Sequence, residues 1–395
     1  MTDKRRIDVF ISSTSLDLPE YRQKVIEVLN AYKFLPNAME FWPVTGKPSP
    51  EICEREVKKS ELFIGIYAHR YGWQPEGFNG KSITELEFDW ALQTDYCNKK
   101  IPLFCFLVAD DYRALDERKD TDRDKSAELK AFKARVKDGR QVGFFTSPED
   151  LALKVAIALH YLRDDPCFSD KADGYQKFVF VTPPPSYFAG RVDLLASLQA
   201  KLLTQRLVGV RGFGGLGKTT LAQAFAFATI GQYGITLWAG FGSEMSETRE
   251  KDVLRKWLVE QNAPKPADDA SRDDLFREVG LALTRAIQQR QPASILLILD
   301  DVWNNGVESA RRLIKLVHEL PSGKVLVTSR NADTLRSLRI PEPAIERLDG
   351  LSNTDGAAVL HGIIGDGKLD EAQRRQLSHW LGGHPLALTL IAGAV

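Results

Sequence analysis

The chain has 395 residues, enough for roughly two to three domains with separate cores. Its 53 Lys+Arg balance 53 Asp+Glu, which gives no reason to expect nucleic acid or an anionic membrane as a partner. Four scattered cysteines (Cys53, Cys97, Cys105, Cys167), without CxxC spacing or His partners, argue against a disulfide framework or a zinc site.

The N-terminus, "MTDKRRIDVFIS", has no signal-peptide apolar region, and no apolar run is long enough to span a bilayer. A cytoplasmic protein with free thiols is expected. "IDVFIS" reads as a strand, "LPEYRQKVIEVLNAY" as an amphipathic helix and "LPNAME" as a short strand. "SPEICEREVKKS" is helical, with Pro50 tolerated in the first turn. Next come strand "LFIGIYA", a helix from Ser82, strand "IPLFCFLV", a charged helix within "DERKDTDRDKSAELK", strand "VGFFT" and helix "SPEDLALKVAIALHYL". Five strands alternating with five helices predict an α/β domain over 1–165 with a five-stranded parallel sheet covered on both faces.

The proline-rich 166–186 reads as a linker. A second alternating α/β region follows over 187–344, then a helical segment over 345–395. That segment stops inside the apolar "LALTLIAGAV", which predicts a truncated chain.

"LVGVRGFGGLGKTTLAQAFAFA" is a strand, a glycine loop and a helix start. Gly212, Gly214, Gly215 and Gly217 let backbone N–H groups curl around phosphate oxygens. The following helix N-terminus, from Lys218 through Thr219 and Thr220, favours an anion. Lys218 is expected on the β- and γ-phosphates and the Thr219 hydroxyl on Mg²⁺. "SILLILDDVWN" delivers Asp300 to a strand end, where a carboxylate holds Mg²⁺, with Asp301 beside it to orient a hydrolytic water. "KVLVTSR" ends in Arg330, which reads equally as a γ-phosphate contact or a surface arginine.

Residues 187–395 resemble the NB-ARC module of STAND NTPases, the class that includes plant immune receptors and apoptosome proteins. "YFAGR" resembles that family's adenine-contacting entry motif, so Phe188, Gly190 and Arg191 carry over. "LGGHPLAL" resembles the segment whose proline packs on adenine, which carries over to Pro385, although His384 replaces the usual leucine. The resemblance implies ADP and ATP as ligands, slow hydrolysis as a switch, and homo-oligomer assembly on activation. It also implies a trigger sensed by a C-terminal region missing here.

The helix from Ser82 holds two acids of different kinds. At 100° per residue Glu87 falls among Ile83, Leu86, Trp90 and Ala91, whereas Glu85 and Asp89 are expected to face solvent. Ser82 and Glu85 have capping-box spacing. A 2-1-3-4-5 strand order puts a crevice beside "ISSTS" and "AHRYGW". Ser12, Ser13 and Thr14 would offer hydroxyls there, Arg70 a charge, and Tyr71 and Trp73 ring faces. A carboxylate at Glu87 could serve an oxocarbenium-like sugar or attack its anomeric carbon; as a structural residue it would pair with Arg70 or another cation.

The stretch from "IDVFISSTS" through "SITELEFDWA" resembles a domain of unknown function that precedes bacterial STAND NTPases. More distantly it resembles TIR domains and nucleoside 2-deoxyribosyltransferases, in which a helical glutamate acts on N-glycosidic bonds. Glu87 follows Ser82 by five residues and precedes Ala91 by four, as in those families. The resemblance implies a signalling NTPase whose effector cleaves NAD⁺ or a related nucleotide in defence against phage. Two alternatives remain open: a non-catalytic docking module, and an enzyme acting on free nucleosides or nucleotides.

Overall fold

The computed structural model describes residues 6–14, 18–39, 50–109, 123–162, 165–169, 181–242, 245–289, 292–365 and 368–394. The chain divides into two compact units, Met1–Tyr175 and Gln176–Val395. Part of the expected charged segment (110–122) and of the expected linker (170–180) lies outside the described residues. No helix among the described residues is long and apolar enough to cross a membrane.

The first unit contains β1 (Asp8–Ser13), α1 (Pro19–Ala31), β2 (Leu35–Asn37), α2 (Pro50–Lys59), β3 (Leu62–Tyr67) and α3 (Ile83–Gln93). It continues with β4 (Asp95–Tyr96), β5 (Lys99–Lys100), β6 (Leu103–Val108), α4 (Arg123–Lys137), β7 (Gly143–Phe145), α5 (Pro148–Leu162) and the single turn α6 (Pro166–Ser169). The sheet order is β2-β1-β3-β6-β7, all parallel, so the expected doubly wound α/β architecture is present. β3 is buried at every position, as a central strand covered on both faces must be. Tyr67, Phe88 and Phe132 pack edge to face, with centroids 4.9–6.5 Å apart, and fix α3 and α4 against β3. The hairpin β4–β5 was not legible in the alternation pattern because each strand is two residues long.

The second unit contains α7 (Val192–Thr204), β8 (Leu207–Arg211), α8 (Lys218–Ala228), β9 (Ile235–Gly240), α9 (Glu247–Glu260), α10 (Arg272–Gln288), β10 (Ile295–Asp300) and α11 (Val307–His318). β11 (Gly323–Ser329), α12 (Ala332–Ser337) and β12 (Ile345–Arg347) complete its sheet, and α13 (Asn353–Ile364), α14 (Glu371–Trp380) and α15 (Pro385–Ala392) form a helical subdomain. The parallel order β12-β8-β11-β10-β9 inserts β11 between the strand that leads into the glycine loop and the strand that ends in Asp300. This is a P-loop NTPase-like sheet, and its topology makes β11 a contributor to the site. Serine caps start α9, α10 and α13, and a full capping box at Asp370 and Gln373 starts α14.

Candidate nucleotide site and a buried acid

β8 ends at a loop that only glycine can build in places. Gly215 and Gly217 have φ of +76° and +88°, and a Cβ on Gly212 would lie 2.8 Å from the Leu348 carbonyl oxygen. Lys218, at the start of α8, is 6% exposed and folds over the loop, donating to the carbonyls of Gly212 (2.9 Å) and Phe213 (2.8 Å). Burial, then the nearby Arg330 charge, lower its pKa, opposed by Asp301 and Asp300. A phosphate arriving here would replace those carbonyls as the partner of the ammonium.

The Thr219 hydroxyl lies 2.9 and 3.1 Å from the two carboxylate oxygens of Asp300. Thr328, from the intervening β11, donates to Asp300 Oδ1 at 2.7 Å. Burial raises the Asp300 pKa, and the Thr328 and Thr219 hydrogen bonds oppose it. A hydroxyl beside a carboxylate is the hard oxygen set that Mg²⁺ takes when it also ligates phosphate, so the residues fit that ion. Thr328 escaped the sequence reading; its signal is a hydroxyl two residues before Arg330 at a strand end.

Asp301 is placed differently from expectation. Its φ is +53°, held by its N–H on the Thr328 hydroxyl at 2.8 Å. Arg330 Nε donates to Oδ1 at 3.3 Å and the Trp303 indole donates to Oδ2 at 3.1 Å. Both oxygens are thus engaged, and in this state the side chain anchors Arg330 instead of orienting a water. The Arg330 guanidinium lies 5.0 Å over the Trp303 ring, a specific position and not that of a loose surface arginine.

One pocket of about 350 Å³ is lined by Gly215, Gly217, Lys218, Thr219, Thr220, Asp301 and Arg330. Its other walls include Phe188 and Arg191 from the entry segment and Pro385 and Leu386 from α15. Gly190 (φ +71°) leaves room for the Asp355 carboxylate, which would lie 2.5 Å from a Cβ. Arg191 donates to the backbone carbonyls of Asp349 and Gly350, tying the entry segment to the turn before α13. His384 caps α15, and its Nε2 lies 3.1 Å from the Gly214 carbonyl; the Leu386 amide donates to the Gly215 carbonyl at 3.3 Å. The position where this chain departs from the usual leucine is therefore a polar contact on the phosphate loop.

In the first unit, Glu87 is 3% exposed on α3, and Ser12 donates to its Oε2 at 2.6 Å. Burial raises its pKa to about 7, opposed by the Ser12 hydrogen bond and the charge of Arg22. The cation acting on Glu87 is thus Arg22 of α1, a residue the sequence reading did not name when it left the partner as Arg70 or another cation. Arg22 also donates to the Ser13 hydroxyl at 2.5 Å, so the hydroxyls of Ser12 and Ser13 are both engaged within the protein. Thr14 and Arg70 are partly exposed, and Trp73 is 49% exposed, near the same strand ends.

Three expectations are corrected. Glu85 does not face solvent: it is 7% exposed, accepts from Arg135 Nη1 at 2.7 Å and from the Tyr71 hydroxyl, and so neutralises a cation that α4 brings in. Tyr71 is consequently a core residue, 3% exposed, and not a free ring face for a ligand. Ser82 caps α3 through the Glu85 amide at 3.2 Å, while the Glu85 carboxylate is bound elsewhere, so the capping box is half made. Asp89 takes part in the same ion network through Lys81 at 2.7 Å.

Residues 8–160 match the family described as Domain of unknown function (DUF4062), and residues 192–361 match the NB-ARC domain. A probable disease resistance protein of Arabidopsis thaliana is 29% identical over 259 residues, which is 61% of this chain and 28% of that protein. Another disease resistance protein of the same plant is 27% identical over 210 residues, 51% of this chain and 20% of the relative. The chain thus spans about a quarter of the length of these curated relatives. Among solved structures, a signal transduction ATPase with numerous domains (STAND) with a tetratricopeptide repeat sensor, from Pyrococcus horikoshii, is 19% identical. It aligns over 55% of this chain and 31% of its own, with a TM-score of 0.38. The chain joins a domain that matches the DUF4062 family to a P-loop NTPase domain that matches NB-ARC.

Proposed function

We propose that the second unit is an ADP/ATP switch that controls a signalling output from the first. The observation that carries this reading is the pocket in which the phosphate loop, Lys218, Thr219 and Arg330 meet the Pro385–Leu386 end of α15. A ligand there touches both the sheet domain and the helical subdomain, so ADP and ATP can favour different arrangements of the two. Only such differential affinity moves a two-state equilibrium. Mg²⁺ held by Thr219 and Asp300 would neutralise the β- and γ-phosphates and assist slow hydrolysis. ATP would release the helical subdomain and permit assembly with other copies of the chain in the cytoplasm, with the trigger acting through regions outside this sequence. Calorimetry tests the site: Lys218→Ala should lose ADP binding, and Asp300→Ala should lose Mg²⁺-dependent ATP affinity more than ADP affinity. Unchanged ADP affinity in a folded Lys218→Ala protein would overturn the assignment.

For the first unit, the buried Glu87 with a pKa of about 7 favours an N-glycosidic cleavage of NAD⁺ or a related nucleotide. A carboxylate at the sheet's switch point can stabilise positive charge on a ribosyl carbon while Ser12 orients it. Activity would contribute to defence signalling and would rise on assembly through higher local concentration. The test is product analysis on assembled protein with NAD⁺, ATP and nucleosides. Glu87→Gln with wild-type turnover would replace this reading with a docking role.

A further inference from the structure

The hairpin β4–β5 and the short helix α6 bring together two cysteines that are far apart in the sequence of the first unit. The register pairs Asp95 with Lys100 and Tyr96 with Lys99, leaving Cys97 and Asn98 as the two turn residues. Both have left-handed φ, +51° and +60°, as a type I′ turn requires. Asn suits such a position; Cys, without a comparable local hydrogen bond, does not. Two contacts bracket this turn against α6. The Tyr96 ring lies 5.6 Å from the Phe168 ring, and Lys99 Nζ pairs with Asp165 at 2.5 Å. Cys97 falls between Tyr96 and Lys99, and Cys167 falls between Asp165 and Phe168, so the two thiols face each other. Asp165 also accepts the Cys167 backbone N–H at 3.0 Å, which fixes that residue's orientation.

We propose that Cys97 and Cys167 are a thiol pair that peroxide oxidises reversibly to a disulfide, fastening α6 to the hairpin. Cys97 is exposed and Cys167 partly exposed, whereas Cys53 and Cys105 are buried. Burial pushes the thiols of Cys53 and Cys105 up to about 12, where almost no reactive thiolate exists at neutral pH. The sulfurs of Cys97 and Cys167 lie within hydrogen-bonding reach; that contact, then burial, raises the Cys167 pKa, opposed by the Lys99 ammonium, so the more exposed Cys97 is the thiol that meets peroxide first.

In the first step one thiolate attacks the peroxide O–O bond; an S–O bond forms, and the departing hydroxide takes a proton to become water. In the second, the other thiolate attacks that sulfur; the S–S bond forms, the S–O bond breaks, and a second water leaves. The two sulfurs together lose two electrons and the peroxide gains them. Reversible disulfides of this exposed kind act as redox sensors in a reducing compartment.

The test treats the full chain with hydrogen peroxide and maps peptides without reduction. The expected result is a Cys97–Cys167 link within one chain. The free-thiol count should fall from the four in the sequence to two, and dithiothreitol should restore it. Cys97→Ser should abolish the link. Cys167→Ser should leave the Cys97 sulfenic acid unresolved, so that dimedone traps it. A link between two copies of the chain, a link involving Cys53 or Cys105, or Cys97 oxidised without capture by Cys167 would overturn the proposal.

Discussion

Replacing Glu87 by Gln should change the stability of the first unit by an amount that depends on pH. The folded pKa of about 7 compares with 4.5 for an ordinary glutamate. At about 1.4 kcal/mol per tenfold in proton affinity, the buried charge costs the fold about 3 kcal/mol once it is fully formed. Between pH 4.5 and about 7 the folded chain keeps a proton that the unfolded chain has lost, so wild-type stability falls as pH rises through that window. Below it the carboxyl is protonated in both states and the penalty disappears. Gln does not titrate and can still accept from Ser12. Its amide N–H groups need partners at every pH, which brings the expected gain to about 1–3 kcal/mol at pH 8 and turns it into a loss of up to about 2 kcal/mol at pH 4.5. The assay is urea unfolding of the full chain at several pH values, with quenched pulse-labelling of the buried Cys53 and Cys105 as reporters of the first unit. A difference between mutant and wild type that does not change from pH 4.5 to 8 would refute the reasoning.

Glu85→Ala should destabilise the same unit by about 1–3 kcal/mol, because it removes the acceptor of the buried Tyr71 hydroxyl and one of the two carboxylates on Arg135, which keeps Asp89; a loss below about 0.5 kcal/mol in a thermal melt would contradict that. Trp303→Ala removes both the indole donor to Asp301 and the ring under Arg330. It should weaken ATP binding by about tenfold with ADP affinity nearly unchanged, and Trp303→Phe should fall between the two. Equal losses for both nucleotides by calorimetry would argue against a role in positioning Arg330. Gly215→Ala places a Cβ in the left-handed region, 2.4 Å from His384 Cε1. It should cost about 1–2 kcal/mol and increase hydrogen exchange in α15, whereas unchanged exchange would show that this contact does not hold the helical subdomain.

Much of the architecture was legible in the chain itself. Alternating apolar strands and amphipathic helices are local patterns, and burial on both faces makes a run such as "LFIGIY" unmistakable. The phosphate loop was equally legible, because glycines and Lys218 act there through backbone geometry within a few residues of one another. Glu87 stood out because helical periodicity alone places a carboxylate among apolar neighbours. The partners of these groups were decided only by tertiary structure. Glu85 and Glu87 are two residues apart, and what separates them is that one meets Arg135 from α4 while the other meets Ser12 and the field of Arg22. Thr328 reaches Asp300 only because β11 is inserted beside β10, and Cys97 faces Cys167 only because a short hairpin packs on α6. Local propensity fixes which face a side chain occupies; the charge and hydrogen-bond partner opposite that face come from distant segments, and those partners set the pKa and the chemistry.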